Sequence, residues 1–294
     1  MQMTTTVAQD IDFNNEANSG YWMKAFLACI ESFPTPANKS RGLYLYLRGN
    51  YADLEKAASL IGLDPFLSVE VIRSANTATY GCRGTDSLLD AVNAIGLERL
   101  SRIALRIWLK NFLPRSLRSY YLDGGDFVHR SVACGAAMRY MYQGDSGLAE
   151  TAYAVGLLHS IGRVVIDEAV RRSGDSDIKF CQRTTRTLAE AEKREFGTTH
   201  AVVGGLALEF WGFSKAIYEP VSQQFANVTD TRLADWTQSL AIARFTADRV
   251  LEVLNGHQDP LRGEGRAVYK GKTLSDIYEF TLAMTEQEIL SDMN

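Results

Sequence analysis

Apolar positions along the chain recur at intervals of three and four, the spacing that places them on one face of a helix. Tyr21, Trp22, Ala25, Phe26 and Ile30 form the first such stripe. Phe33-Pro34-Thr35-Pro36 stops it, because proline removes a donor and restricts the residue before it. Ala57, Ala58, Leu60 and Ile61 predict a second helix, and Asp64-Pro65 supplies a cap acceptor and a first-turn proline for a third. Thr85 to Gly96 opens on small capping residues, carries Leu88, Leu89, Val92 and Ile95 on one face, and ends at a glycine suited to a left-handed cap. Leu100, Ile103, Ala104, Ile107 and Trp108 continue the pattern to Pro114. Helical spacing then runs through Phe127 to Tyr142, Leu148 to about Ala169, Thr187 to Phe196, His200 to Trp211 and Thr231 to Leu254. The last of these is expected to be the longest helix.

No stretch alternates β-branched and polar residues for long, and the one strand candidate, Gly42 to Leu47, is too short to build a sheet. The predicted fold class is therefore all-α. Residues 1–19 read as a polar leader. Asn255 to Lys272, rich in Gly, Arg and Asp, reads as a linker, followed by two short helices, Leu274 to Met284 and one opened by the capping box Thr285-x-x-Glu288. The glycines of Gly265 to Thr273 stand five residues apart where a phosphate-binding P-loop needs four, and no buried strand leads into them, so this segment too reads as linker.

Composition sharpens the picture in three places. With 31 Lys and Arg against 35 Asp and Glu the net charge is −4, which speaks against a protein gripping duplex nucleic acid through many phosphates. The cysteines Cys29, Cys82, Cys134 and Cys181 form no Cys-x-x-Cys pair and read as reduced core thiols, and the polar start carries no signal peptide. With no apolar run of membrane-spanning length, the expected location is the cytoplasm, with no membrane partner. Arg99, Arg102, Arg106 and Lys110 lie on one side of the helix after Gly96, either as a solvated face or as a place for an anionic ligand, nucleic acid or cyclic dinucleotide.

Of the four histidines, His129, His159 and His200 fall in separate predicted helices, which can converge on a metal, although each alone also fits a hydrogen-bonded core histidine. Gly156-Leu157-Leu158-His159-Ser160-Ile161-Gly162 resembles the Gly-Leu-Leu-His-Asp-Ile-Gly signature of the HD superfamily, whose adjacent His and Asp ligate metal; here Ser160 stands at the aspartate position. Phe127-Val128-His129-Arg130-Ser131 is similar to that superfamily's first histidine element, and Asp248 matches its last aspartate. Leu63-Asp64-Pro65-Phe66-Leu67, Val71 to Asn76 with Tyr80, and Leu88 to Gly96 resemble the N-terminal pattern of HDOD domains, the HD-related output domains of bacterial signalling. Glu195-Phe196-Gly197, His200 to Gly204 and Trp211 continue the likeness, which covers residues 20 to 252.

The resemblance implies a multi-helix HDOD-type fold, with an N-terminal helical lobe (20–120) packed on an HD-like core (121–252), then a linker and C-terminal helices (253–294). It implies a non-catalytic signal-transduction module that binds a protein partner or a small ligand, with no cofactor and no catalytic residues. His129, His159, His200 and Asp248 are remnant metal-ligand candidates that could still hold a weak divalent ion. The alternative is a metal-dependent phosphohydrolase acting on a nucleotide or cyclic dinucleotide. Ser160 offers only a neutral hydroxyl, and the later histidine pair of some binuclear HD enzymes would fall near Gln223-Gln224-Phe225, where no usual ligand stands. Asn76 is expected to bond free carbonyls or turn the chain at its helix end, with Tyr80 over it, and Trp211 to anchor a helix C-terminus in the core.

Overall fold

The computed structural model describes residues 16–32, 38–76, 85, 87–180, 185–226, 228–256, 261 and 264–293. Among them the chain is helical almost throughout, with two strand pairs of two residues each, so the all-α class holds. Tyr80, Cys82 and Cys181 lie outside the described residues. Cys29 and Cys134 are free and buried.

One compact unit spans Pro34–Leu113 and Glu286–Asn294. Its helices are α2 (Asn38–Leu47), α3 (Leu54–Gly62), α4 (Pro65–Ala75), α5 (Leu88–Ile95) and α6 (Leu97–Phe112). The strand candidate Gly42 to Leu47 is the second half of α2: Leu43, Tyr44 and Leu47 are buried at intervals of one, three and four, a helical stripe. Here α2 packs on α6 and α3 on α5, around Ile61, Val71, Val92, Leu100 and Trp108. Asp53 and Ser87 cap α3 and α5 by accepting from the amides of Lys56 and Asp90. The amide of Asn76 bonds the Ile72 carbonyl of its own helix, while its side chain clasps the backbone of Thr85, donating to its carbonyl and accepting from its amide at 3.0 and 2.9 Å.

The other unit spans Met1–Phe33 and Pro114–Thr285. It contains α1 (Glu16–Ser32), a short hairpin β1/β2 (Ser116–Leu117 with Leu122–Asp123) around a 3-10 turn at Arg118–Tyr120, and α7 (Gly124–Met141). It continues with α8 (Ser146–Leu158), α9 (Gly162–Ser173), α10 (Thr185–Phe196), α11 (His200–Phe210), α12 (Lys215–Ser222) and α13 (Thr231–Leu254). α7 packs on α8 and α13, α9 on α1 and α11, and α12 on α8 and α11. Trp22, Phe26 and Phe196 join α1 to α10 through ring contacts, and Trp211 at the end of α11 is buried with its indole N–H on the Ile30 carbonyl.

Four expectations need correction. The stretch Leu148 to Ala169 is two helices, broken at His159-Ser160-Ile161, where the amides of Ile161, Arg163 and Val164 bond three residues back. α12 has no counterpart in the sequence reading; it is only eight residues long and holds Pro220 within it. The linker from Asn255 to Lys272 carries a 3-10 turn at Glu264–Arg266 and a second hairpin, β3/β4 (Val268–Tyr269 with Lys272–Thr273). Lys270 of that hairpin reaches Asp235 of α13 at 2.8 Å. The two expected terminal helices are one, α14 (Leu274–Met293), with Thr285 buried in mid-helix and donating to the Thr281 carbonyl.

Candidate functional site

Small residues bring the His159 turn to its neighbours. A Cβ on Gly156 would stand 2.6 Å from the Cys134 carbonyl oxygen, so α8 lies directly against the backbone of α7. A Cβ on Gly162 would stand 2.0 Å from the His200 carbonyl oxygen and 2.6 Å from the Gly204 nitrogen. The start of α9 therefore touches the first turn of α11, and the His159-Ser160 break is held beside His200.

His159 and His200 are both buried, and their partners fix their tautomers. The Nδ1 of His159 lies 2.7 Å from the Gly156 carbonyl, which can only accept, so Nδ1 carries the proton and Nε2 keeps its lone pair. Burial, followed by the charge of Arg244, holds this imidazole well below its ordinary pKa, so it is neutral. His200 sits at the start of α11, and both its backbone N–H (2.8 Å) and its Nδ1 (2.7 Å) donate to Glu192 Oε2. Burial lowers the His200 pKa as well, with Glu192 opposing. Its Nε2 is buried without a hydrogen-bond partner.

Glu192, on α10, is fully buried and also accepts from the Tyr120 hydroxyl at 2.8 Å. Burial opposes its ionisation, but the adjacent imidazole, the two His200 N–H bonds and Arg163 outweigh it and hold the carboxyl below the usual range. The Arg163 guanidinium lies over the Tyr120 ring, 5.8 Å from its centroid. On the far side, Gln224 at the end of α12 donates to the His159 carbonyl at 2.7 Å and accepts from Arg244 of α13. Arg244 in turn covers Phe225 at 4.8 Å, and Phe225 meets His200 edge-on at 5.3 Å.

The sequence candidates thus part company. His159, Ser160 and His200 come together. Asp248 is in an ion pair with Arg130, and the adjacent His129 is half-buried on α7. Among the described residues, no three His, Cys, Asp or Glu side chains converge on a point that could hold a metal ion. A hydrolytic dication needs anionic ligands to offset its charge and an open position for water. Here the ligand positions carry two neutral imidazoles, a hydroxyl and an amide, with the guanidinium of Arg244 against that amide, so the donor set does not fit. In the other unit, Arg99 and Lys110 are exposed, Arg102 is half-buried and Arg106 is buried, so the four do not share one solvated face. The sequence reading missed Tyr120, Arg163, Glu192 and Arg244. Only Arg163, next to the histidine motif, carried a local signal; Glu192 lies in a charged run that looks solvated.

The sequence profile of the HDOD domain matches residues 34–226, more than half the chain, and the protein belongs to the HDOD family. No curated protein matches it. Among solved structures it is similar to an "HDOD domain protein with unknown function" from Geobacter sulfurreducens, at 20% identity and a TM-score of 0.63 over 93% of this chain and 99% of that one. It is also similar to a "Putative phosphohydrolase" from Shewanella amazonensis SB2B, at 20% identity and a TM-score of 0.61 over 90% and 97%. A third is a "Putative signal transduction protein" from Marinobacter aquaeolei VT8, at 16% identity and 0.63 over 98% and 68%. At these identities the likeness establishes the fold.

Proposed function

We propose that this protein is a non-catalytic regulatory module of bacterial signal transduction, acting in the cytoplasm by binding a protein partner or a small ligand. One observation carries the reading: beside the two histidines stand the hydroxyl of Ser160 and an amide occupied by Arg244, while Asp248, the matching carboxylate, is paired with Arg130 instead of joining them. Losing even an outer partner of a metal site costs about 10- to 100-fold in affinity or activity, and losing a ligating carboxylate costs more. Membership of the HDOD family and the name of the Marinobacter relative support the signalling role. No helix among the described residues is long and apolar enough to cross a membrane, which agrees with action away from the bilayer.

The alternative, a metal-dependent phosphohydrolase of nucleotides or cyclic dinucleotides, draws on the bare Nε2 atoms of His159 and His200. The two are separated by elemental analysis of protein purified without chelator, beside a His159→Ala control, and by hydrolysis assays with added Mn²⁺. The module reading expects no stoichiometric metal and no turnover. Metal that disappears in the control, together with hydrolysis by the unmodified protein, would overturn it.

A further inference from the structure

The arginines around His159 and His200 make no ion pair with a carboxylate among the described residues, and only the charge of Glu192 acts on Arg163 from a distance. Arg163 is 9% exposed, its Nε is buried without a hydrogen-bond partner, and no carboxylate lies within ion-pair distance among the described residues. Its guanidinium lies over the face of Tyr120. Arg244 gives one N–H to the Gln224 amide and lies over Phe225, and no described carboxylate reaches it either. The acidic group nearest in effect is the Cys134 thiol, which burial pushes up to about 12, so it is neutral.

Charge counting makes the surplus explicit. Arg130 and Asp248 cancel. Of the buried carboxylates, Glu150 pairs with Arg139, Asp167 accepts from the Ser119 amide, and Glu192, whose oxygens are taken by Tyr120 and His200, attracts Arg163 only across a distance. Arg244 is left with an amide and a ring as its neighbours and no carboxylate partner among the described residues, in a place where buried charges are ordinarily paired or bind an ion. Both guanidiniums keep unused N–H donors in the planar fork that grips tetrahedral oxyanions. The neutral imidazoles add no repelling charge, and the unpartnered His200 Nε2 can accept from a protonated oxygen.

We propose that Arg163 and Arg244 form an oxyanion site at the position of the HD metal centre, and that its ligand is a phosphate group, either free phosphate or the phosphate of a nucleotide. The assignment rests on the non-catalytic reading and names the class of small ligand such a module takes. Arg163 and Arg244 hold the anion, while Gln224 and Phe225 position Arg244.

The test titrates full-length protein, free of added metal, with inorganic phosphate and separately with AMP at constant ionic strength. Binding is followed by calorimetry and by the NMR resonance of the Arg163 side-chain N–H. The expected result is one site per chain with a shifted Arg163 signal, and at least tenfold weaker binding in Arg163→Gln and Arg244→Gln. Arg171→Gln, an exposed arginine on α9, should bind as the unmodified protein does. Tighter binding of AMP than of phosphate identifies a nucleotide ligand, and equal binding identifies phosphate itself. If the variants fail to fold, the Arg163 resonance of the unmodified protein decides alone: a saturable shift supports the site. No shift, unchanged binding in both variants, or binding that requires added Mn²⁺ would overturn the proposal. Hydrolysis of AMP at an intact phosphate site would sink the non-catalytic reading and leave the anion site standing. Partner binding without any phosphate effect would do the reverse.

Discussion

Gly162→Ala tests the contact that builds the site. The added methyl would stand 2.0 Å from the His200 carbonyl oxygen and 2.6 Å from the Gly204 nitrogen, and both neighbours are backbone. Ordinary contact at this kind of atom pair is on the order of 3.5 Å, so α9 and α11 must separate by more than 1 Å, roughly, or the turn must distort. Overpacking of this kind costs about 1 to 3 kcal/mol, and helix propensity returns at most about 1 kcal/mol for replacing glycine by alanine. Gly20→Ala supplies the matched control, since Gly20 lies in α1 with nothing within 4 Å of the new Cβ and should be neutral or slightly stabilising. Denaturant unfolding of the two variants in one buffer should therefore place Gly162→Ala below Gly20→Ala by roughly 2 kcal/mol or more, at an unchanged m-value. Equal midpoints would mean that the α9–α11 contact is looser than the geometry states, and the account of how His200 is docked would fail.

Glu192→Ala should be among the most destabilising single changes, about 3 kcal/mol or more by chemical denaturation, because it strands the Tyr120 hydroxyl and two His200 N–H groups in the core. Glu192→Gln, which keeps an acceptor, should cost clearly less, and a reversed order would refute the assigned hydrogen bonds. Stability should fall on acidification, for a definite reason. Both His159 and His200 have folded pKa values below 6.5, so the unfolded chain takes up protons that the folded one refuses. The loss begins as pH drops through about 6.5, runs at roughly 1 kcal/mol per histidine per pH unit, and ends below the folded values. Glu192, whose folded pKa is depressed, adds its loss only at lower pH; a flat profile between pH 7 and 5 would contradict neutral buried imidazoles. Ser160→Asp should raise Mn²⁺ affinity in a metal titration without producing robust hydrolysis, since Gln224 and Phe225 still stand where further ligands are needed; robust turnover would contradict the reading of the site.

Local rules carried much of the fold. The helix stripes, the end of α6 before Pro114 and the glycine cap at Gly96 appear where the side chains predict them, because those signals act within one or two turns of chain, while the stop at Phe33 to Pro36 lies outside the described residues. Gly42 to Leu47 failed because a six-residue apolar run carries no period long enough to separate strand from helix. The break at His159 was illegible for a different reason: its residues keep helical backbone angles, and the helix is interrupted only in its hydrogen bonds.

The sequence by itself determined the all-α class, the His159-Ser160 motif and the absence of a carboxylate at Ser160, since each is a matter of residue identity and short-range spacing. Tertiary structure alone decided what surrounds that motif. Glu192 is eight residues from His200, Tyr120 is 72 from Glu192, and Gln224 is 65 from His159. Those separations are closed by glycine contacts between helices, which no local pattern encodes. Burial then sets the chemistry, because the same imidazoles and guanidiniums would be ordinary groups in water. Shut in the core together, the histidines lose their charge, and Arg163 and Arg244 stand against an aromatic ring and an amide with no carboxylate in ion-pair reach among the described residues.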